Sequence, residues 1–117
     1  MSRQAGAFPV IIDPEIGTAT AVAGAVTNNK PAGVITTESL TTAQNATYTL
    51  TITDASIAAA DVVTTSLANG TNTQGTPMII RCTPGAGSIV ILVKNMHDSA
   101  VALNGTLVIS YTVVKAL

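Results

Sequence analysis

Residues 46–53 alternate without a break, Tyr48, Leu50 and Ile52 on one side and Thr47, Thr49, Thr51 and Thr53 on the other. A period of two places successive side chains on opposite faces, so this segment predicts a strand with one buried face. Residues 106–113 repeat the logic, with Leu107, Ile109, Tyr111 and Val113 facing inward. Residues 88–94 are apolar at nearly every position and predict a central strand covered on both sides. The abundant Val, Ile and Thr suit a pleated surface and resist helix through their stiff χ1.

Turn chemistry separates these runs. Pro84-Gly85-Ala86-Gly87 lies between 78–83 and 88–94 and predicts a hairpin. Asn69-Gly70 and Asn104-Gly105 tolerate positive φ and favour tight turns. A polar loop over 69–76 is closed by Pro77. One segment, 54–60, leans towards a single helical turn capped by Asp54, and is too short to stand alone. Residues 1–32 differ: strands are expected near 8–12 and 19–26, but Pro9, Pro14 and Pro31 demote this stretch to an edge or an arm. The expected architecture is all-β, a single-domain β-sandwich, jelly-roll-like, with an extended N-terminal arm over 1–32 and the sandwich over 33–117. An immunoglobulin-like sandwich is the alternative, although the Cys and Trp landmarks of antibody domains are absent.

Composition narrows the function. The 117 residues carry only 9% charged side chains and 47% hydrophobic ones, with a net charge of -1. Mean hydropathy is +0.49 and the isoelectric point about 5.5. Such apolarity at low net charge argues against disorder. Arg3, Lys30, Arg81, Lys94 and Lys115 are scattered singly, and Phe8, Tyr48 and Tyr111 are the only aromatics, so no nucleic-acid surface is expected. The apolar stretch 8–12 runs straight into Asp13-Pro14-Glu15, too short for a signal peptide, and no run approaches a membrane span.

Chemistry is sparse. Cys82, the single cysteine, reads as a packed, inert thiol. His97, Asp98 and Ser99 are consecutive, which a catalytic triad does not permit, so His97 reads as a loop or interface residue. Asp13, Glu15, Glu38, Asp54, Asp61 and Asp98 show no metal-loop spacing, and no catalytic residue, metal site or cofactor is expected. Asn45-Ala46-Thr47, Asn69-Gly70-Thr71 and Asn104-Gly105-Thr106 match the glycosylation sequon, which carries little weight in a Thr- and Asn-rich chain. A sugar-binding sandwich would want exposed aromatics; there is no Trp, and Tyr48 and Tyr111 fall on apolar strand faces. What this composition does explain is assembly: a short, apolar, charge-poor chain hides surplus surface by oligomerising.

The block at 33–42 running into 46–53 resembles small structural proteins of tailed bacteriophages. So does Thr83-Pro84-Gly85-Ala86-Gly87-Ser88-Ile89-Val90-Ile91, followed by Asn95-Met96-His97 and by 102–110. Within that class the chain looks like the capsid decoration, or cement, proteins. The resemblance implies a trimer on the outer capsid surface of the virion, made in the host cytoplasm and bridging subunits of the major capsid protein, with no active site. Under this reading Phe8, Pro9, Val10, Ile11 and Ile12 of the arm anchor on the capsid or a neighbouring protomer. A tail or fibre component and a carbohydrate-binding module are the alternatives.

Overall fold

The structure is a computed structural model that describes residues 16–115. These residues form eight strands and no helix: β1 (Ile16–Thr20), β2 (Ala25–Thr27), β3 (Ala32–Thr36), β4 (Thr47–Thr53), β5 (Val62–Asn69), β6 (Pro77–Gly85), β7 (Ser88–Asn95) and β8 (Leu107–Val114). They make two four-stranded sheets, in the orders β1-β3-β8-β5 and β2-β4-β7-β6. The sheets pack face to face as a β-sandwich. Both are mixed, because β1 runs parallel to β3 and β2 parallel to β4, while the remaining pairs are antiparallel.

The inward rows read from the alternation form the core. Leu50 and Ile52 of β4, Ile89, Ile91 and Val93 of β7, and Leu107, Ile109, Tyr111 and Val113 of β8 are all buried. Ile35 of β3 joins them, and Ala21, Leu40, Ile57 and Leu103 seal the core from the connections. β7 is central in its sheet, as its apolar run implied, but it is covered on one side only. Ile89, Ile91 and Val93 point into the core, whereas Val90 and Leu92 are half-buried on the outward face. A two-layer sandwich has no third layer to cover them.

The segment 1–32 is not an arm throughout. β1 and β2 lie inside it and hydrogen-bond into the two sheets, so the sandwich takes in Ile16 onward. In place of one strand over 19–26 the chain makes two, joined by a turn in which Val22 and Ala25 exchange both backbone hydrogen bonds at 3.0 Å. Ala23 (φ 51°) and Gly24 (φ 75°) hold the two left-handed positions of a type I′ turn. The turn carries the chain from one sheet to the other, and both strands end up at edges, where the prolines pointed.

Only the β6–β7 connection stays within one sheet. Its strands run through Pro84 and Gly85, so the turn shrinks to Ala86 and Gly87, with Gly87 at φ 82°. Residues 54–60 form turns and no helix. Asp54 Oδ1 accepts from Ser56 N (2.9 Å) and Ser56 Oγ (2.8 Å), a local turn that satisfies the backbone without a helical ladder.

Candidate functional site

Loops crossing between sheets collect at the two ends of the sandwich, and the polar side chains there tie loop to loop. At one end Asn95, fully buried, uses all its side-chain capacity. Its Oδ1 accepts from Thr76 N (3.0 Å) and His97 N (3.2 Å); its Nδ2 donates to Thr42 O (3.1 Å) and Val101 O (2.8 Å). Three connections are thereby fixed to the end of β7. Thr37, also fully buried, accepts from Leu107 N at 2.9 Å and donates to Glu38 O at 2.7 Å.

Two of the sequon-like tripeptides meet at this end. Thr71 N donates to Thr106 Oγ1 and Thr106 N to Thr71 Oγ1, each at 2.9 Å, so Asn69-Gly70-Thr71 and Asn104-Gly105-Thr106 interlock reciprocally. Asn72 Oδ1 accepts from Asn104 N and Asn104 Oδ1 from Thr73 N, both at 2.8 Å, extending the clasp. A Cβ on Gly70 would run into Thr106 Oγ1, and one on Gly105 into Thr71 and Asn72 N. Neither glycine, nor Asn69 or Asn104, has positive φ. Their tolerance of positive φ is therefore not used, and these glycines serve close backbone approach instead. Their repetition in the sequence was the available signal; that the two copies pair was not visible in it.

At the other end Asp61 is held by Lys115 Nζ at 2.6 Å, and the same ammonium reaches Ser56 O. Asp54 is buried with one oxygen, Oδ2, lacking a hydrogen-bond partner. Asn28 Nδ2 donates to Tyr111 OH at 2.6 Å. Burial raises the Tyr111 phenol above its usual range, with the nearby Asp54 adding to the shift and the Asn28 bond opposing it. Tyr48 packs half-buried against the core and donates to Glu38 Oε1 at 2.8 Å; burial first, then that hydrogen bond and charge, push its phenol well above the ordinary value. Both tyrosines are thus engaged in packing and hydrogen bonding.

The other sequence candidates are placed separately. Cys82 is an unpaired, half-buried thiol on β6, raised by burial. His97 Nδ1 lies 3.1 Å from Ser99 Oγ and 3.6 Å from Asp98 Oδ1, a local turn in which both neighbours crowd the same ring nitrogen. A triad would need the base between its two partners. Among the described residues no group of three or more His, Cys, Asp or Glu side chains could hold a metal ion, and no pocket is found. Phe8, Pro9, Val10, Ile11 and Ile12, with Asp13 and Glu15, lie outside the described residues.

The surface feature that sequence reasoning did not assemble is the outward face of the first sheet. Its four strands contain no charged residue. Register aligns its outward rows: Ile16, Ala32, Thr112 and Thr64; Thr18, Val34, Ser110 and Ser66; Thr20, Thr36, Val108 and Ala68. Ile16, Val62 and Val114 are exposed by 54%, 57% and 56%. The outward face of the second sheet carries Arg81 and Lys94 among Thr, Val, Leu and Met. Comparison with protein-family models, curated proteins and solved structures finds no match to this chain.

Proposed function

We propose that the chain is a non-enzymatic structural protein that packs its neutral sheet surface into a larger assembly, and that this assembly is the head of a tailed phage. There it decorates the outer capsid surface as an oligomer and bridges major-capsid subunits. The observation that supports a packing role is the outward face of the first sheet, four strands wide without a charge. An ordinary soluble domain interleaves charges on such a face; a neutral, partly apolar one favours contact with another protein. Fully burying an exposed Val or Ile contributes roughly 1.5–3 kcal/mol. About half of that remains to be gained at each of the partly covered Ile16, Val62 and Val114, which together still form a useful contact set. The phage setting rests on the resemblance of residues 33–117 in strand and turn wording.

A jelly-roll-like reading suits the core of the fold. β3 pairs with β8 and β4 with β7, and β5 leads directly into β6, so the strands nest in pairs about the β5–β6 connection. β1 and β2 are then parallel additions at the edges. The segment ahead of β1 supplies Phe8, Pro9, Val10, Ile11 and Ile12 as the contact to the capsid lattice or a neighbouring protomer.

The test is quantitative mass spectrometry of purified particles of a phage encoding this chain. A copy number near that of the major capsid protein supports decoration. A small fraction of it moves the chain to the tail or a single vertex, and absence from particles overturns the reading. For the arm, deleting residues 1–14 is expected to leave a folded oligomer that no longer binds capsids; unchanged binding overturns its role.

A further inference from the structure

Four strands have an open edge among the described residues: β1, β5, β2 and β6. Three are blunted in the ways that suppress edge-to-edge pairing. β1 and β2 are short, at five and three residues. β6 carries Pro77, Arg81 and Pro84 and breaks register with β7 between Ile79 and Arg81. β5 has no such protection: eight residues, Val62-Val63-Thr64-Thr65-Ser66-Leu67-Ala68-Asn69, with no charge and no proline. It pairs with β8 at every position without a register shift. Regular backbone on one side leaves a regular row of N–H and C=O groups on the other.

The sandwich is also less closed along this side. Inward residues of the central strands are buried, Ile91 and Ile109 completely. The inward residues Val63 and Leu67 of β5, and Ile79 and Cys82 of β6, are only partly buried. Here the two edge strands lie close together, and an apolar seam runs beside the unprotected edge.

We propose that β5 is a self-pairing edge: two copies of this chain join antiparallel through β5 about a two-fold axis and make a continuous eight-stranded sheet. Strand parity selects the register. Directly opposite residues must point to the same face, so a symmetric pairing places a residue opposite itself. Centred on Thr65, the inward row becomes Val63 against Leu67, Thr65 against Thr65 and Leu67 against Val63, which carries apolar surface across the junction and covers the seam of both copies. The outward row becomes Val62 against Ala68 and Thr64 against Ser66, so β-branched and hydroxyl side chains meet their like. Centring on Ser66 instead sets Val63 against Asn69 and Thr65 against Leu67, which mixes polar with apolar. The strand is therefore complementary to itself, and being uncharged, a second copy meets no repulsion. This pairing holds whether or not the chain decorates a capsid, and it gives a dimer where the resemblance implies a trimer.

The test uses the full chain in analytical ultracentrifugation. Wild type sediments as a dimer. Thr64→Lys with Ser66→Lys sets lysine opposite lysine twice per interface, and Thr64→Glu with Ser66→Glu does the same with glutamate. Both positions are exposed, so the fold, followed by circular dichroism, persists. Each double variant is expected to raise the dimer dissociation constant by about tenfold or more, and mixing the two restores a dimer because each lysine then faces a glutamate. As a second measurement, Thr65→Cys in a Cys82→Ser background gives a disulfide-linked dimer under mild oxidant, since opposed residues in an antiparallel pair sit about 4.5–5.5 Å apart at Cα. A monomeric or trimeric wild type, double variants that keep the wild-type mass, dimers lost only when residues 1–15 are deleted, or no cross-link through position 65 each overturns the proposal.

Discussion

Ala23 and Tyr48 show how far single side chains depart from what their backbone and solvent would choose. Ala23 sits at φ 51°, a conformation that costs an L-residue with a Cβ roughly 1–2 kcal/mol, and it is exposed. Asn-Gly is the preferred pair for a type I′ turn, so Ala23→Asn is expected to stabilise the protein by about 0.5–1 kcal/mol in urea unfolding. Ala23→Val, β-branched at positive φ, is expected to do the reverse. Tyr48 bears on pH. Its folded-state phenol is raised, by burial first and by Glu38 second, above the ordinary value of 10.0. The neutral phenol is thus favoured in the folded state, and the stability it contributes is complete below pH 10 and lost as pH rises beyond it. Unfolding midpoints measured from pH 8 upward are expected to fall above pH 10, and Tyr48→Phe to flatten that slope. The variant lowers stability at pH 8 through the lost hydrogen bond, so the slope is the diagnostic quantity.

Among the connecting elements, Asn95 matters most at its end of the sandwich. It is fully buried and makes four side-chain hydrogen bonds to the backbone of three connections. Asn95→Ala leaves two amide N–H groups and two carbonyls without their partner, and is expected to cost about 3 kcal/mol, measured as a lowered urea midpoint with the far-ultraviolet strand signal retained. Asn95→Asp is no substitute, because a carboxylate cannot donate to Thr42 and Val101. The strands were legible in the sequence where one face alternates: 46–53 starts one residue before β4, and 106–113 is offset from β8 by one residue at each end. The connections were less legible. Local preference favoured tight turns at Asn69-Gly70 and Asn104-Gly105, but each glycine's place is set by close approach to the other segment across the fold. Likewise the apolar stretch near 19–26 gave no sign that a turn would divide it between two sheets.

For the whole molecule, charge is distributed by layer. The first sheet carries none, the second places Arg81 and Lys94 on its outward face, and the described acidic residues all stand in connections. The candidate surface is thus a property of strand order: β1, β3, β8 and β5 are distant in sequence and become one neutral face only because β8 lies between β3 and β5. Buried polar residues at the ends, Asn95, Thr37 and Asn72 among them, are committed to holding loops. Under the proposed capsid role, binding through the first sheet is expected to weaken when Thr18→Glu and Thr112→Glu are combined, since each sets a solvated carboxylate on that outward face while the inward rows are untouched. Measured by co-sedimentation with capsids, full binding by that variant would exclude this face.

The sequence by itself determined the class of fold and its inward rows, because alternation is local and each apolar residue had one face to choose. It also determined that the surface would be poor in charge, which is composition. Tertiary structure alone decided which strands became neighbours, that β1 and β2 joined parallel at the edges, and that two separated Asn-Gly-Thr segments would clasp. Those outcomes depend on contacts between distant residues, formed only once the two sheets close over a common core.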